Sequence, residues 1–486
     1  MNNFKSSYAQ LPESFYSVTP PTPVAVPKLL KWNSQLAEEL GLKFESIVEK
    51  ENIFSGNSPL NGTPIAQKYA GHQFGQFNPD LGDGRAHLLA EVISTKGERY
   101  DIALKGSGRT PYSRGGDGRA WLGPVLREYI VSEAMYNLGI PTTRALAIVS
   151  SGEPVYREAK MPGAIITRIA KSHIRIGTFQ WFSATSDISN LQTLLDYSIK
   201  RHYPDAKSTA DFLRAVCLSQ AELVAEWMRV GFIHGVMNTD NCLISGETID
   251  YGPCAFMDEY SPSKVFSSID NFGRYSFINQ SKIIIWNLAQ LASALLLLHQ
   301  DETNTLEEFQ EIINETSEYM SQQNDIKFAS KLGIDTPVQK DKHLISELMT
   351  ILDEEKADFT NFFSTITHND HPEEKADFTN FFSTITHNDQ PHKFMKNSAY
   401  LTWEKKWHNR IQNIPSAKET MRQANPAIIP RNHNIEKAIQ SALSDDFEPF
   451  HTLNEALINP YNYKEKSDLL KAPKEDEKVT ATFCGT

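Results

Sequence analysis

Between about residue 65 and residue 170 the hydrophobic period of the chain changes twice, and this restricts the fold more than any other feature. Tyr100, Ile102 and Leu104 alternate with Asp101, Ala103 and Lys105, the period of two expected for a half-buried strand. Leu126, Ile130, Ala134 and Leu138 then recur at four-residue spacing, and Gly139-Ile140-Pro141 closes that helix. Short strand-like pieces follow at 145–149, 154–157 and 164–169. Beyond about 170 the pattern is mostly helical. Residues 210–230 carry Leu213, Val216, Ala221, Val224 and Trp227 at helical spacing, and Gly231 supplies the stop. At 486 residues the chain exceeds the roughly 250–300 that one hydrophobic core supports, so at least two lobes are expected. The fold class read from this order is α+β, with a small strand-rich N-lobe (61–170) and a larger helical C-lobe (171–463).

The flanks read differently. Residues 1–60 are Pro-rich early (Pro20, Pro21, Pro23, Pro27), then predicted helical from about 29 to 40 before Gly41. They form a wrapping arm rather than a domain. Residues 464–486 are charged and poor in apolar groups, which predicts a flexible tail. The segment EEKADFTNFFSTITHND occurs at 354–370 and again at 373–389. Solenoid repeats drift and recur at least three times, so this pair reads as a recent tandem duplication on a surface loop or helix extension.

A net charge of −12 argues against a nucleic-acid partner, because no global basic field would attract phosphate backbones. Four scattered cysteines (Cys217, Cys242, Cys254, Cys484) without CxxC spacing give neither a disulfide framework nor a zinc site. The N-terminus lacks the apolar core of a signal peptide. The most apolar run, 283–298, is broken by Asn287 and Gln290 and would reach only about 24 Å as a helix, against a hydrocarbon core of about 30 Å. A cytoplasmic, membrane-free protein is expected, with the monomer as its expected state.

Chemistry concentrates in clusters. Gly82-Asp83-Gly84-Arg85 precedes the apolar run 86–92; glycines there let backbone N–H groups approach phosphate oxygens, and Arg85 supplies charge. The same residues also read as a plain hairpin turn. Lys105 ends the next strand and Glu128 lies on the following helix, the pairing by which kinases hold a lysine on nucleotide phosphates. A second Gly-Asp-Gly-Arg-Ala (116–120) echoes the first (82–86). Arg168 and Arg175 can grip phosphates bidentately. Concentrated cations in an acidic chain imply an anionic ligand.

The most specific cluster runs from His234 to Gly252. Ser245-Gly246 reads as a two-residue hairpin turn, which predicts Asn241 directly across a ladder from Asp250. An amide oxygen and a carboxylate so placed suit a hard cation, Mg²⁺ or Mn²⁺, shared with phosphate oxygens. Asp240, next in sequence to Asn241, is a candidate base or nucleophile-positioning group. His234 is read as structural. The spacing from His234 to Asn241 fits the kinase catalytic loop, yet the position of the kinase base holds Val236.

YAGHQFGQFNPDLGDGRAHLLAEV (69–92), LKGSGRTPYSRGGDGRA (104–120), REYIVSEAMYNLGIPTTRAL (127–146), SHIRIGTF (172–179) and HGVMNTDNCLISGETIDYGP (234–253) together resemble the selenoprotein O (YdiU) family. The resemblance is dense over about 1–300 and looser beyond. It implies a protein-kinase-like bilobal fold with family-specific extensions, a pseudokinase that binds ATP in a flipped orientation. It further implies transfer of AMP to Ser, Thr or Tyr hydroxyls of proteins with release of pyrophosphate, with UMP transfer from UTP also linked to the family. Carried over by motif, Gly82, Gly84, Arg85, Lys105, Asp117, Gly118, Arg168, Arg175 and Asp250 would contact the nucleotide. Glu128 would pair with Lys105, Asp240 would be the base, and Asn241 and Asp250 would hold Mg²⁺ or Mn²⁺. Many members end in selenocysteine or cysteine followed by small residues, matched here by Cys484-Gly485-Thr486, whose thiol would suit a redox role. The alternatives are a phosphotransferase and a non-catalytic nucleotide-binding scaffold.

Overall fold

The computed structural model describes residues 4–60, 62–368, 397–463 and 467–483. Its strands are β1 (Phe4–Lys5), β2 (Tyr16–Val18), β3 (Lys28–Trp32), β4 (Ile65–Gln67), β5 (Gly71–Gln73), β6 (Gln76–Asn78), β7 (Ala86–Ile93), β8 (Arg99–Lys105), β9 (Ala120–Trp121), β10 (Arg144–Tyr156), β11 (Lys160–Ala170), β12 (Phe232–Ile233) and β13 (Ala255–Phe256). The helices used below are α1 (Ser34–Glu39), α2 (Ile47–Ser55), α3 (Leu122–Asn137), α4 (Ile176–Ala184), α5 (Ile188–His202), α6 (Thr209–Val230), α7 (Gln280–Leu296), α8 (Glu302–Lys331), α9 (Gln339–Glu354) and α10 (Phe359–His368). The chain is α+β.

The main sheet is antiparallel, in the order β2-β4-β7-β8-β11-β10-β3, with β1 on β7 and β9 on β11. The two strand pieces expected at 145–149 and 154–157 are one strand, β10, bulged between Ser150 and Pro154 where Gly152 turns at φ 68°. The arm adds edge strands and covers one face: Leu36, Leu40, Ile53 and Phe54 share a buried cluster with Ile102, Leu104, Leu146 and Val149. This corrects the half-buried reading of β8. Its other face is covered too, because Asp101 is buried against Arg201 Nη2 (2.6 Å) from α5.

The expected helix over 29–40 is corrected as well. Residues 28–32 extend as β3 and pair with β10, Trp32 opposite Ala147, and only then does Asn33 cap α1 by accepting from Leu36 N (3.1 Å). An available sheet edge outweighs a local propensity worth tenths of a kcal/mol per residue.

In the helical half, Ser208 caps α6 and Gly231 ends it in the left-handed region (φ 71°). The apolar helix α7 packs on α6 and α8; among the described residues no helix is long and apolar enough to cross a membrane. Its polar residues have structural tasks. Gln280 donates to Phe232 O (2.9 Å) and accepts from His234 N (2.9 Å), while Asn287 donates to Met237 O (2.9 Å). The helix thereby holds the segment that carries Asp240.

Two further expectations change. The first copy of the duplication is core rather than surface: Phe359, Phe362, Phe363 and Ile366 on α10 are buried, and Asp358 meets the buried Arg431 at 2.8 Å. Four large apolar groups on a short helix leave it no stable place in water. The second copy, 373–389, lies outside the described residues, as does Cys484. Within the expected flexible tail, 467–483 is docked. Thr482 is buried, donating through N to Phe266 O (2.7 Å) and through Oγ1 to Pro253 O (2.6 Å).

Candidate active site

Strand register assembles the cationic floor of a cleft. Lys105 ends β8, and Arg168 on β11 pairs with Ala103, two residues before it. Cross-strand partners share a face and every second residue returns to it, so Lys105 and Arg168 emerge side by side, with the small Ala103 leaving room for the guanidinium. The α3 helix packs against β10 and β11 and presents Glu128 to both. Lys105 Nζ donates to Glu128 Oε2 (2.7 Å) and Arg168 Nε to Glu128 Oε1 (2.9 Å). Asp250 Oδ1 accepts from Lys105 Nζ and Arg168 Nη2, each at 2.7 Å. Burial opposes the charge on Asp250, but Lys105, Arg168 and Arg175 outweigh it and hold the carboxyl well below its ordinary range. Glu128 is lowered in the same way, against its burial, by Arg168 and Lys105. Asp250 also occupies the left-handed region (φ 62°), a conformation costing a non-glycine about 1 kcal/mol and tolerated best by Asp and Asn.

The ladder expected between Asn241 and Asp250 is absent. A turn forms one residue earlier than expected, centred on Ile244-Ser245 with Gly246 N donating to Leu243 O (3.1 Å), and its flanks pair outward: Leu243 bridges Arg175 and Thr248 bridges Thr142. Asn241 and Asp250 nevertheless line one cavity of about 800 Å³, together with Asp240, Lys105, Arg168 and Arg175. The same cavity is lined by Gly82, Gly84, Arg85, Asp117 and Gly118. Glu128 alone among the expected site residues stands behind the wall.

Asp240 is built differently from Asp250. It is 9% exposed, its Oδ1 has no hydrogen-bond partner among the described residues, and Oδ2 accepts from Gln73 Nε2 (3.2 Å). Burial lifts its carboxyl to about 6, with Gln73 and Arg175 pulling weakly the other way. Its neighbours are fixed by Thr239, which donates to Gln180 Oε1 (2.6 Å) and accepts from His72 N (2.7 Å). His234 is structural, as expected: it is buried, its Nε2 lies 2.8 Å from Ile249 O, and it stacks on Trp227. One carboxylate is held ionised by cations and its neighbour, in a dry niche, is poised to take a proton near neutrality, a division of tasks typical of acid–base sites.

The family model described as protein adenylyltransferase SelO matches residues 1–458. This chain belongs to the SelO family. A protein nucleotidyltransferase YdiU of Ruegeria pomeroyi is 50% identical over 485 residues, covering 99% of each chain. One from Bacillus mycoides is 48% identical over 498 residues, covering 100% of this chain and 98% of its own. The chain is therefore an enzyme of the nucleotidyltransferase class.

Two loops of this SelO-family chain close the cavity over the cations. Gly82 turns at φ 143°, and a Cβ there would meet the Tyr112 ring at 2.5 Å. Thr110 Oγ1 donates to Asp83 O (2.7 Å) and Ser113 Oγ to Gly84 O (2.5 Å), stitching the first glycine loop to the 110–113 turn. Gly118 of the second Gly-Asp-Gly-Arg loop turns at φ 68° hard against Gly108. Asp117 accepts from Arg157 Nη1 (2.8 Å) on the cavity rim, and Arg119 donates to the arm carbonyls of Thr22 and Pro23 (3.0 Å each). Arg175 reaches Asp83 Oδ1 (3.3 Å) and stacks over Tyr69 (4.2 Å).

Several site residues had no assigned role in the sequence. Asp83 orients Arg175; Gln73 touches Asp240; and Gly71 sits where a Cβ would lie 2.8 Å from Asp240 Oδ1. All lie inside the quoted motifs, but nothing local marks them, because their partners are distant in sequence. For a cation, Asn241 Nδ2 donates to Val236 O (3.0 Å), so the amide oxygen is left without a donor, and no donor reaches Asp250 Oδ2 among the described residues. No group of three His, Cys, Asp or Glu side chains able to hold an ion occurs among the described residues. The donor set is two hard oxygens, the kind of partial site that a divalent ion completes with phosphate oxygens and water.

Proposed function

We propose that this chain moves AMP from ATP, or UMP from UTP, onto Ser, Thr or Tyr hydroxyls of proteins, in a kinase-like bilobal fold that holds the nucleotide with its α-phosphate toward Asp240. The observation that carries the reading is the pairing of a buried carboxylate, held by a single side-chain hydrogen bond from Gln73, with a cationic floor in one cavity. Lys105, Arg168 and Arg175 would bind phosphate oxygens, aided by backbone N–H groups at Gly82 and Gly118 and by Arg85, while Gly84, whose N–H donates to Gly82 O, shapes the loop and Asp117 holds Arg157 at the rim. The cavity-lining Asp240 carboxylate would accept the proton of the acceptor hydroxyl as its oxygen attacks the α-phosphorus. The bond from that phosphorus to the bridging oxygen breaks, and pyrophosphate leaves with the electron pair. Glu128 keeps Lys105 and Arg168 oriented. Asn241 and Asp250 would hold Mg²⁺ or Mn²⁺, which supplies charge neutralisation to the phosphates. The neighbouring Val236 offers no carboxylate at the usual kinase base position, which speaks against phosphoryl transfer.

The test uses the whole protein with α-³²P-ATP, α-³²P-UTP or γ-³²P-ATP and Mg²⁺ or Mn²⁺, beside Asp250→Ala. Label retained from an α-labelled nucleotide by wild type, absent from the variant and abolished by EDTA, is the expected result. Label from γ-³²P-ATP alone would return the site to the phosphotransferases, and binding without any transfer would leave a scaffold.

A further inference from the structure

Resting on that reading, an acceptor chain must bring its hydroxyl to Asp240, and the molecule holds a place for it. A second cavity of about 570 Å³ adjoins the first, and Phe74 and Ile269 line both. Its outer wall is the 269–274 turn. Asp270 accepts from the backbone N–H groups of Arg274 (2.9 Å) and Tyr275 (2.8 Å), which closes the turn. Tyr275 OH donates to Asn238 Oδ1 (2.7 Å), and Phe74 N donates to the same oxygen (3.1 Å). The wall is thus tied to the segment that carries Asp240, and Gln73, next to Phe74, touches that carboxylate.

On this tethered turn Phe272 is 98% exposed and Ile269 57%. Large apolar groups held in water on an ordered turn beside a catalytic cleft are the usual mark of a recognition surface. Its charge is also distinctive. Lys282 is exposed and makes no ion pair with a described residue, and the Arg274 guanidinium lies over the Trp286 ring (4.8 Å) with its Nε buried and unpartnered. Asp270, the one carboxylate in the lining, is occupied by backbone amides. A chain of net charge −12 therefore presents a local cationic and apolar groove.

We infer that this groove is the acceptor-docking site, and that its occupant is an extended segment of the substrate protein with an apolar side chain for Phe272 and Ile269 and a carboxylate for Arg274 and Lys282. Short linear segments are recognised by such paired pockets, and opposite charge across the contact favours the partner over neutral competitors.

The test is a peptide library with a central Ser, Thr or Tyr and one flanking position at a time fixed as Asp, Lys, Leu or Ala, labelled from the α-³²P-nucleotide that wild type uses. Wild type is expected to favour Asp at one flanking position and Leu at another, and a peptide combining the two should be its best substrate. Phe272→Ala and Lys282→Glu should each raise KM for the best such peptide about tenfold, with the nucleotide Kd unchanged, and Lys282→Glu should shift the preference toward Lys. Equal labelling of all flanks, or unchanged KM in both variants, overturns the docking site while leaving the transfer reading intact. Wild-type protein that binds nucleotide yet labels neither itself nor any peptide overturns both.

Discussion

Replacing Asp240 by asparagine should abolish transfer and yet stabilise the free protein at neutral pH. The carboxyl is lifted from an ordinary value near 4 to about 6 by burial, so the folded state holds a charge that it tolerates less well than the unfolded chain does. The sign follows. A raised carboxyl favours the fold below about pH 4, and that favour is lost as pH rises through about 6. Two pH units at about 1.4 kcal/mol each give about 3 kcal/mol of penalty at pH 8. The asparagine is isosteric and carries no charge, so it removes the penalty. With an unfolding entropy of about 2.1 cal/mol/K per residue, a chain of this length shifts by about 3 °C for that energy. Differential scanning fluorimetry without nucleotide, at pH 8 and at pH 4, measures it: the variant should melt higher at pH 8 and lose the advantage at pH 4. The wild-type kcat/KM, which reports the free enzyme, should rise about tenfold per pH unit toward an inflection near 6. A melting difference that does not change between the two pH values would refute the argument that burial governs this carboxyl.

Two other outcomes follow from the same geometry. Gly71→Ala puts a Cβ 2.8 Å from Asp240 Oδ1; steady-state kinetics should show a loss of about 10²-fold in kcat/KM, with the nucleotide Kd nearly unchanged. Asp250→Asn has the opposite pH sign to Asp240→Asn: its lowered carboxyl stabilises the fold above about pH 4, so the variant should be less stable than wild type at pH 7, by denaturant titration, and the gap should close as pH falls.

The parts of the site that could be read from the chain are those fixed by one element at a time. Period two puts Lys105 at a strand end, period four marks the helix that carries Glu128, and the structure joins them at 2.7 Å. Readings that needed a tertiary partner went astray. The chain does turn near Ser245-Gly246, but one residue early, and the flanks of that turn find Arg175 and Thr142 rather than each other. Leu29 and Leu30 suit a helix until β10 offers them an edge. Gly71 and Asp83 carry no local signal, since one matters only because Asp240 lies against it and the other because Arg175 does. A tandem duplication is easiest to tolerate on a surface, whereas the aromatic face of the first copy fills the core.

The docking of Thr482 on Pro253 bears on how variation in this protein is to be interpreted. The hydrogen bond spans 229 positions of sequence and ends three residues from Asp250. A map of functional positions drawn along the chain would file 467–483 as periphery. In space these residues buttress the site, and a substitution at Thr482 belongs in the same column of that map as one at Pro253.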